Sequence, residues 1–159
     1  MQLQFNSRET ALLKAVAEAA AKIGVPAFAV GGFVRDKILE RPTKDIDVVC
    51  IGDGMALAQA FSKLFHPNPP VSLFKTFGTA QVKFDDIEIE FVGARKESYN
   101  HSSRKPIVES GTLDDDLDRR DFTINALGLG LNSKNWGILI DKFNGIDDLK
   151  NGIIKTPQD

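Results

Sequence analysis

The segment Lys44 to Ile51 constrains this chain more than any other. Its alternation places Asp45, Asp47 and Val49 on one face of an extended strand and Ile46, Val48 and Cys50 on the other. A run this apolar belongs in a sheet interior, yet it begins with two acids on a single face. Carboxylates that close repel one another, and burying them without compensation is costly. Two readings stay open. Both acids are solvated at a strand end, as spaced acidic pairs usually are, or the fold brings cations to them. Oxygen donors of this kind suit Mg2+ or Mn2+.

A third acid is within reach. Ile87 to Val92 is strand-like, with Glu88, Glu90 and Val92 on one face and Ile87, Ile89 and Phe91 on the other. Either glutamate can complete a three-carboxylate site, and a pair of divalent ions about 4 Å apart activates an attacking oxygen and steadies the leaving phosphate in phosphoryl transfer. Neither His66 nor His101 stands at a zinc-ligand spacing. The single cysteine, Cys50, excludes an internal disulfide or a cysteine-based metal cluster and suits a reducing compartment, so the cytoplasm is the expected location.

At 159 residues, with 42% hydrophobic and 26% charged, the chain is one ordinary domain. A formal net charge of −2 does not mark a nucleic-acid binder, so contact with a polyanion must rely on a local basic patch. Arg8, Glu9, Lys14, Glu18 and Lys22 interrupt the N-terminal apolar pattern too often for an export signal, and no apolar run approaches the roughly 20 residues that cross a bilayer.

Periodicity predicts a first amphipathic helix from a Ser7 cap to Ile23, stopped by Gly24, then a strand from Ala27 to Val30, a Gly31-Gly32 turn and a short helix through Ile38 and Leu39. A second long helix is expected from Met55 to Phe65, closed by Pro67, Pro69 and Pro70. Val71 to Phe77, Thr79 to Phe84 and Ile87 to Val92 read as strands, the last two joined by an Asp85-Asp86 hairpin turn. Ala94 to Asp118 is charged and aperiodic and reads mostly as a mobile loop, with Lys96 to Leu117 expected to act as a lid. Arg119 to Leu129 has helix-like spacing, Trp136 to Phe143 is strand-like, and Ile146 to Leu149 forms a short helix. The sum is an α/β (α+β) fold, a mixed sheet of about five strands flanked by helices.

Two further clusters carry chemistry. Gly31-Gly32 offers backbone N–H groups at a helix start, a seat for a phosphate, with Arg35 one turn on. The alternative is a tight turn beside a surface arginine. Arg119 and Arg120 can grip phosphates bidentately, while Asp121 and Asn125, four residues apart, can share a face and bind a sugar hydroxyl. Here the alternative is a surface salt-bridge network. No P-loop or complete dinucleotide fingerprint is present.

Taken in order, Gly31-Gly32-Phe33-Val34-Arg35-Asp36, Lys44-Asp45-Ile46-Asp47-Val48-Val49, Glu90-Phe91-Val92-Gly93-Ala94-Arg95 and Arg119-Arg120-Asp121-Phe122-Thr123-Ile124-Asn125-Ala126 resemble the catalytic head of the tRNA nucleotidyltransferase (CCA-adding) and bacterial poly(A) polymerase family. The resemblance runs from about Pro26 to Ile154. It implies the polymerase-β-like nucleotidyltransferase fold, two Mg2+ or Mn2+ ions on Asp45, Asp47 and Glu90, and a nucleotide held by Gly31, Gly32, Arg35, Arg95, Arg119, Arg120, Asp121 and Asn125. Asp45, Asp47 and Glu90 are the catalytic residues it implies, with Glu88 the competitor for the third place. It further implies transfer of CMP or AMP from CTP or ATP to a tRNA or other RNA 3′ end. Members of the family continue into a neck with a Glu-Asp-x-x-Arg block and then into body and tail domains. On this resemblance residues 1–159 are the head, with an N-terminal helix over 1–25 and a catalytic core over 26–154, and the C-terminal domains are missing. Poly(A) addition, a nucleotide-binding module inactive when isolated, and a metal-dependent phosphodiesterase remain rivals; the last lacks its usual His-Asp motif.

Overall fold

Each element forms where a cap or a glycine lets the hydrophobic pattern start and stop. The computed structural model describes residues 2–99 and 106–157, with backbone alone over 96–99 and 106–110. Helix α1 (Ser7–Ile23) is capped by Asn6 rather than Ser7. The Asn6 side chain accepts from the Glu9 N–H at 2.8 Å and Glu9 returns the bond to the Asn6 N–H at 3.0 Å, a reciprocal box that satisfies two orphan donors. Gly24, with φ 72°, ends the helix as expected. Glu9 is almost fully buried and also pairs with Lys37, tying α1 to α2 (Gly32–Ile38).

Strands β1 (Ala27–Val30) and β2 (Asp45–Cys50) follow the expected bounds closely. Helix α3 (Gly54–Ser62) starts at an Asp53 cap and stops three residues before Phe65. Leu64 and Phe65 still pack on the core, from the turn that follows, so the apolar spacing outlasts the helix. Strand β3 (Val71–Phe74) is shorter than expected, since Lys75 to Gly78 form the turn into β4 (Thr79–Phe84); β5 (Ile87–Gly93) follows through Asp85, at φ 50°, and Asp86.

One expectation is corrected by the next segment. The span read as a mobile loop contains an antiparallel hairpin, β6 (Arg95–Tyr99) with β7 (Pro106–Ser110), and helix α4 (Leu113–Asp118). The hairpin stands apart from the main sheet, so its strands need no continuous apolar face and leave no clear period. Helix α4 is short and acidic but well started: Thr112 and Asp115 cap each other, and Asp114, Asp115 and Asp116 sit where the helix dipole favours negative charge. Residues 100–105, including His101 and Lys105, lie outside the described residues.

The expected helix over Arg119 to Leu129 is one 3-10 turn, Thr123–Asn125, followed by strand β8 (Gly128–Gly130). Pairing overrides local spacing here. β1 bonds β2 on one side and needs a partner on the other, which β8 supplies with Val30 opposite Gly128. The stretch Trp136 to Phe143 contributes only β9 (Leu139–Ile140), and α5 (Gly145–Lys150) closes the chain's last turn of helix.

The main sheet therefore has seven strands, not five, in the order β3-β4-β5-β2-β1-β8-β9. Only β2 and β5 are parallel. One face carries Ile46, Val48, Cys50, Ala80, Val82, Ile89 and Phe91 into a core shared with α1 and α3. Phe61 of α3 meets Phe84 and Phe91 at ring-centroid distances of 5.9 and 5.4 Å, within the range of favourable tilted aromatic contacts. Gly54 is obligatory for this packing, because a Cβ there would stand 2.8 Å from the backbone of Val92 and Gly93. The opposite face is covered only in part, by a small cluster of Phe28, Val30, Val49 and Ala94 with Leu113 and Ile140. No helix among the described residues is long and apolar enough to cross a membrane.

Candidate active site

The parallel register of β2 and β5 decides which glutamate meets the aspartates. Asp47 stands opposite Glu90 and Asp45 opposite Glu88, and registered residues share a face. Asp45 is exposed at the strand's start, whereas Asp47 and Glu90 both line a cleft of about 480 Å³. Arg95, Asp116, Arg119, Arg120 and Asp121 line the same cleft, with Val30, Val49, Val92 and Thr79 as its floor. Glu88 is not among the lining residues.

Burial pushes the Asp47 carboxyl above its ordinary value, and the charge of Glu90 pushes it further; Arg120 only partly opposes them, and Asp45 and Asp116 add to the rise. Four carboxylates, of Asp47, Glu90, Asp116 and Asp121, line the cleft against the three guanidinium groups of Arg95, Arg119 and Arg120. Among the described residues no three His, Cys, Asp or Glu side chains are gathered so as to hold a metal ion. The donor chemistry still fits a hard divalent cation: the acids are carboxylates on one face of two adjacent strands, and the charge excess at Asp47 is what such a cation relieves.

Cations enter from α4 and the turn after it. Asp116, 2% exposed, accepts from Arg119 Nη2 at 3.4 Å and from Arg120 Nε and Nη2 at 3.2 and 2.9 Å. With Nε and Nη2 fixed, Arg120 directs Nη1 toward the turn after β1: a Cβ on Gly31 would stand 3.1 Å from that nitrogen and 3.8 Å from Asp47 Oδ2. Gly31 also has φ 72° and ψ −139°, a conformation open essentially to glycine alone. The turn, the buried acid and the arginine therefore meet at one point.

A second chain of bonds runs behind the first. Arg35 donates from Nη1 to Asn125 Oδ1 at 2.7 Å and from Nε to Asp36 Oδ1 at 3.1 Å. Asn125 in turn donates to Asp121 Oδ1 at 3.1 Å, and that oxygen also accepts the Phe122 N–H at 2.8 Å. The Asn125 bond, the Phe122 N–H and nearby Arg120 hold the Asp121 carboxyl below its ordinary value, so it is an ionised acceptor at neutral pH. Arg35 is thereby bound to side chains and orients Asn125. Gly32 lies against Arg35, its notional Cβ 3.2 Å from Nη2.

Of the residues singled out from sequence, Asp47, Glu90, Arg95, Arg119, Arg120 and Asp121 face one cleft, and Gly31 abuts it. Asp45, Gly32, Arg35 and Asn125 are not among the residues that line it. The Nε of Arg95 is buried without a hydrogen-bond partner, an unsatisfied donor in the cleft wall. Sequence reasoning missed Asp116 and Thr79. The signal for Asp116 was present, since Arg119 and Arg120 follow it at the i+3 and i+4 spacings of helical ion pairs.

The chain is similar to known proteins over most of its length. Residues 27–155 match the model of the poly A polymerase head domain. The chain is 41% identical over 130 residues to the A-adding tRNA nucleotidyltransferase of Aquifex aeolicus, covering 82% of this chain and 16% of that protein. It is 38% identical over 145 residues to the A-adding tRNA nucleotidyltransferase of Halalkalibacterium halodurans, covering 91% and 34%. The chain thus spans 16% and 34% of the lengths of these two curated relatives. A tRNA nucleotidyltransferase solved with a primer tRNA and an incoming ATP analogue superposes with a TM-score of 0.78 at 36% identity, covering 90% of this chain and 39% of that one. The match over residues 27–155 covers well over half of the chain, and the chain belongs to the poly A polymerase head-domain family.

Proposed function

We propose that the protein is the head of a template-independent RNA nucleotidyltransferase that adds CMP or AMP, from CTP or ATP, to the 3′ end of tRNA with release of pyrophosphate. The observation that carries this reading is the convergence of Asp47 and Glu90 with Arg119, Arg120 and Asp121 on one cleft beside the Gly31 turn. Asp45, Asp47 and Glu90 would hold two Mg2+ or Mn2+ ions, which when bound lower the pKa of the attacking 3′-hydroxyl and offset charge on the phosphorus. Arg119 and Arg120, pre-set by Asp116, grip the triphosphate oxygens; the Gly31 N–H is already donated to the Leu127 carbonyl at 3.1 Å, so what Gly31 contributes is the room its missing side chain leaves beside Arg120. Arg95 brings a further donor to the cleft wall. Asp121, steadied by Asn125 and through it by Arg35, accepts from a ribose hydroxyl. None of these residues needs to accept the hydroxyl proton as a histidine base would; positioning and fixed charge supply the rate.

In this reading 1–25 is an N-terminal helix and 26–154 the core, the work is cytoplasmic, and further domains hold the RNA. The matched family carries the name of poly(A) addition, so AMP-only transfer is measured beside CCA completion. The test offers labelled ATP or CTP and a tRNA lacking its terminus, with calorimetry of ATP in Mn2+ alongside. The expected result is Mn2+-dependent ATP binding, with AMP and CMP incorporation at the 3′ end. Absence of any metal-dependent ATP binding would sink the proposal.

A further inference from the structure

Registered rows of residues carry the open face of the sheet beyond the cleft. Asp47, Glu90, Gln81 and Ser72 make one row, and Val49, Val92, Thr79 and Phe74 the next. Paired residues on neighbouring strands project from the same side, so Phe74 shares a face with Asp47 and Glu90. It lies one strand beyond Thr79, which lines the cleft, and β3 is about 10 Å from β5. β3 is the sheet edge, and nothing in the described fold covers this part of it. Phe74 is 43% exposed, and Phe77, in the turn closed by its N–H bond to the Phe74 carbonyl, is 63% exposed. Lys75 in the same turn and Lys83 on β4 are exposed as well, and Lys83 pairs with Glu88 on the cleft's side of the sheet.

We propose that Phe74 and Phe77, with Lys75 beside them in the turn, form a stacking platform for the last bases of a single-stranded RNA 3′ end, which it aims at the Asp47–Glu90 cleft. The inference rests on the nucleotidyltransferase reading above. Leu73, 37% exposed, pairs with Ala80 and belongs to the other face of the strand, so on this face two exposed rings beside Ser72, Gln81 and Lys75 do not make the continuous apolar patch of a stable protein interface. They do match how single strands are held, with bases on aromatic faces and phosphates beside cations. On a chain of net charge −2, whose cleft is itself rich in acids, Lys75 supplies positive charge beside the rings, and Lys83 stands on the same sheet face four residues along β4 from Thr79.

The test titrates a short fluorescent single-stranded RNA ending in cytidine against the wild type, Phe74→Ala, Phe77→Ala and the conservative Phe77→Tyr, by anisotropy, and measures ATP affinity in Mn2+ in parallel. Each alanine variant is expected to weaken RNA binding about ten-fold, the effect of losing one base stack, and to leave ATP affinity unchanged, while the tyrosine variant binds RNA like the wild type. If the wild type binds both ligands and the alanine variants bind RNA equally well, the platform falls and the enzyme reading stands. If the wild type binds neither, both fall. A concentration-dependent dimer of the wild type that Phe77→Ala abolishes, with RNA affinity unmoved, assigns the patch to self-association and overturns the proposal.

Discussion

Replacing Asp47 by asparagine is expected to stabilise the metal-free chain and to remove its response to divalent cations. Burial, then the neighbouring Glu90 charge, raises the Asp47 carboxyl in the folded state above its unfolded value. The native chain therefore holds that proton to higher pH than the unfolded chain does. The stability linked to it is complete below the ordinary carboxyl range and is lost as pH rises through the raised native value, so at neutral pH the ionised group is a net cost. Asparagine keeps the shape and removes the charge, a change expected to add on the order of 1 kcal/mol without metal. For the wild type, Mn2+ at a hundred times its dissociation constant adds about 2.7 kcal/mol; the variant forgoes this and loses about 10³-fold or more of any transfer rate. Thermal melts of both proteins in EDTA and in Mn2+ measure the first two effects. A variant that melts below the wild type in EDTA, or gains as much from Mn2+, contradicts the account.

Asp116→Ala is expected to weaken both the fold and the nucleotide site. The carboxylate is buried and satisfied by two guanidinium groups, so removing it deletes three charge-assisted bonds, two of them from Arg120 and one from Arg119. Breaking a fully buried pair costs about 3–5 kcal/mol. The two arginine side chains are 36% and 27% exposed and can turn to water, which brings the expected loss to about 2 kcal/mol. With Arg120 released from its direction toward Gly31, affinity for ATP should fall about ten-fold or more. Asp116→Asn keeps one acceptor and should lose less of each. Urea midpoints and calorimetry separate the two effects. Lost stability with unchanged ATP affinity would reduce Asp116 to a structural role.

What the sequence discloses here depends on how local the cause is. Alternation in Lys44 to Ile51 and Ile87 to Val92 comes from burial of one sheet face, and both strands lie where the pattern puts them. Glu90 and Glu88 are indistinguishable by alternation. Their separation needs the parallel register, which no residue in either strand announces. The helix-like spacing after Arg119 misleads because the need of β1 for a second partner lies a hundred residues upstream. The hairpin β6–β7 hides for the opposite reason: it belongs to a separate two-stranded sheet, so its composition resembles that of a loop. Asp116 was overlooked because a short acidic helix looks like a solvated run until its cap and its arginines are considered together.

Cys50 ends the strand that carries the aspartates, and burial together with Asp53 pushes its thiol up to about 11. As the only sulfhydryl in the chain, and fully enclosed, it stays silent toward alkylating reagents while β2 remains seated between β1 and β5. Its labelling rate is therefore a built-in clock for excursions of the central strand, and a ligand held at the Asp47 end is expected to slow it.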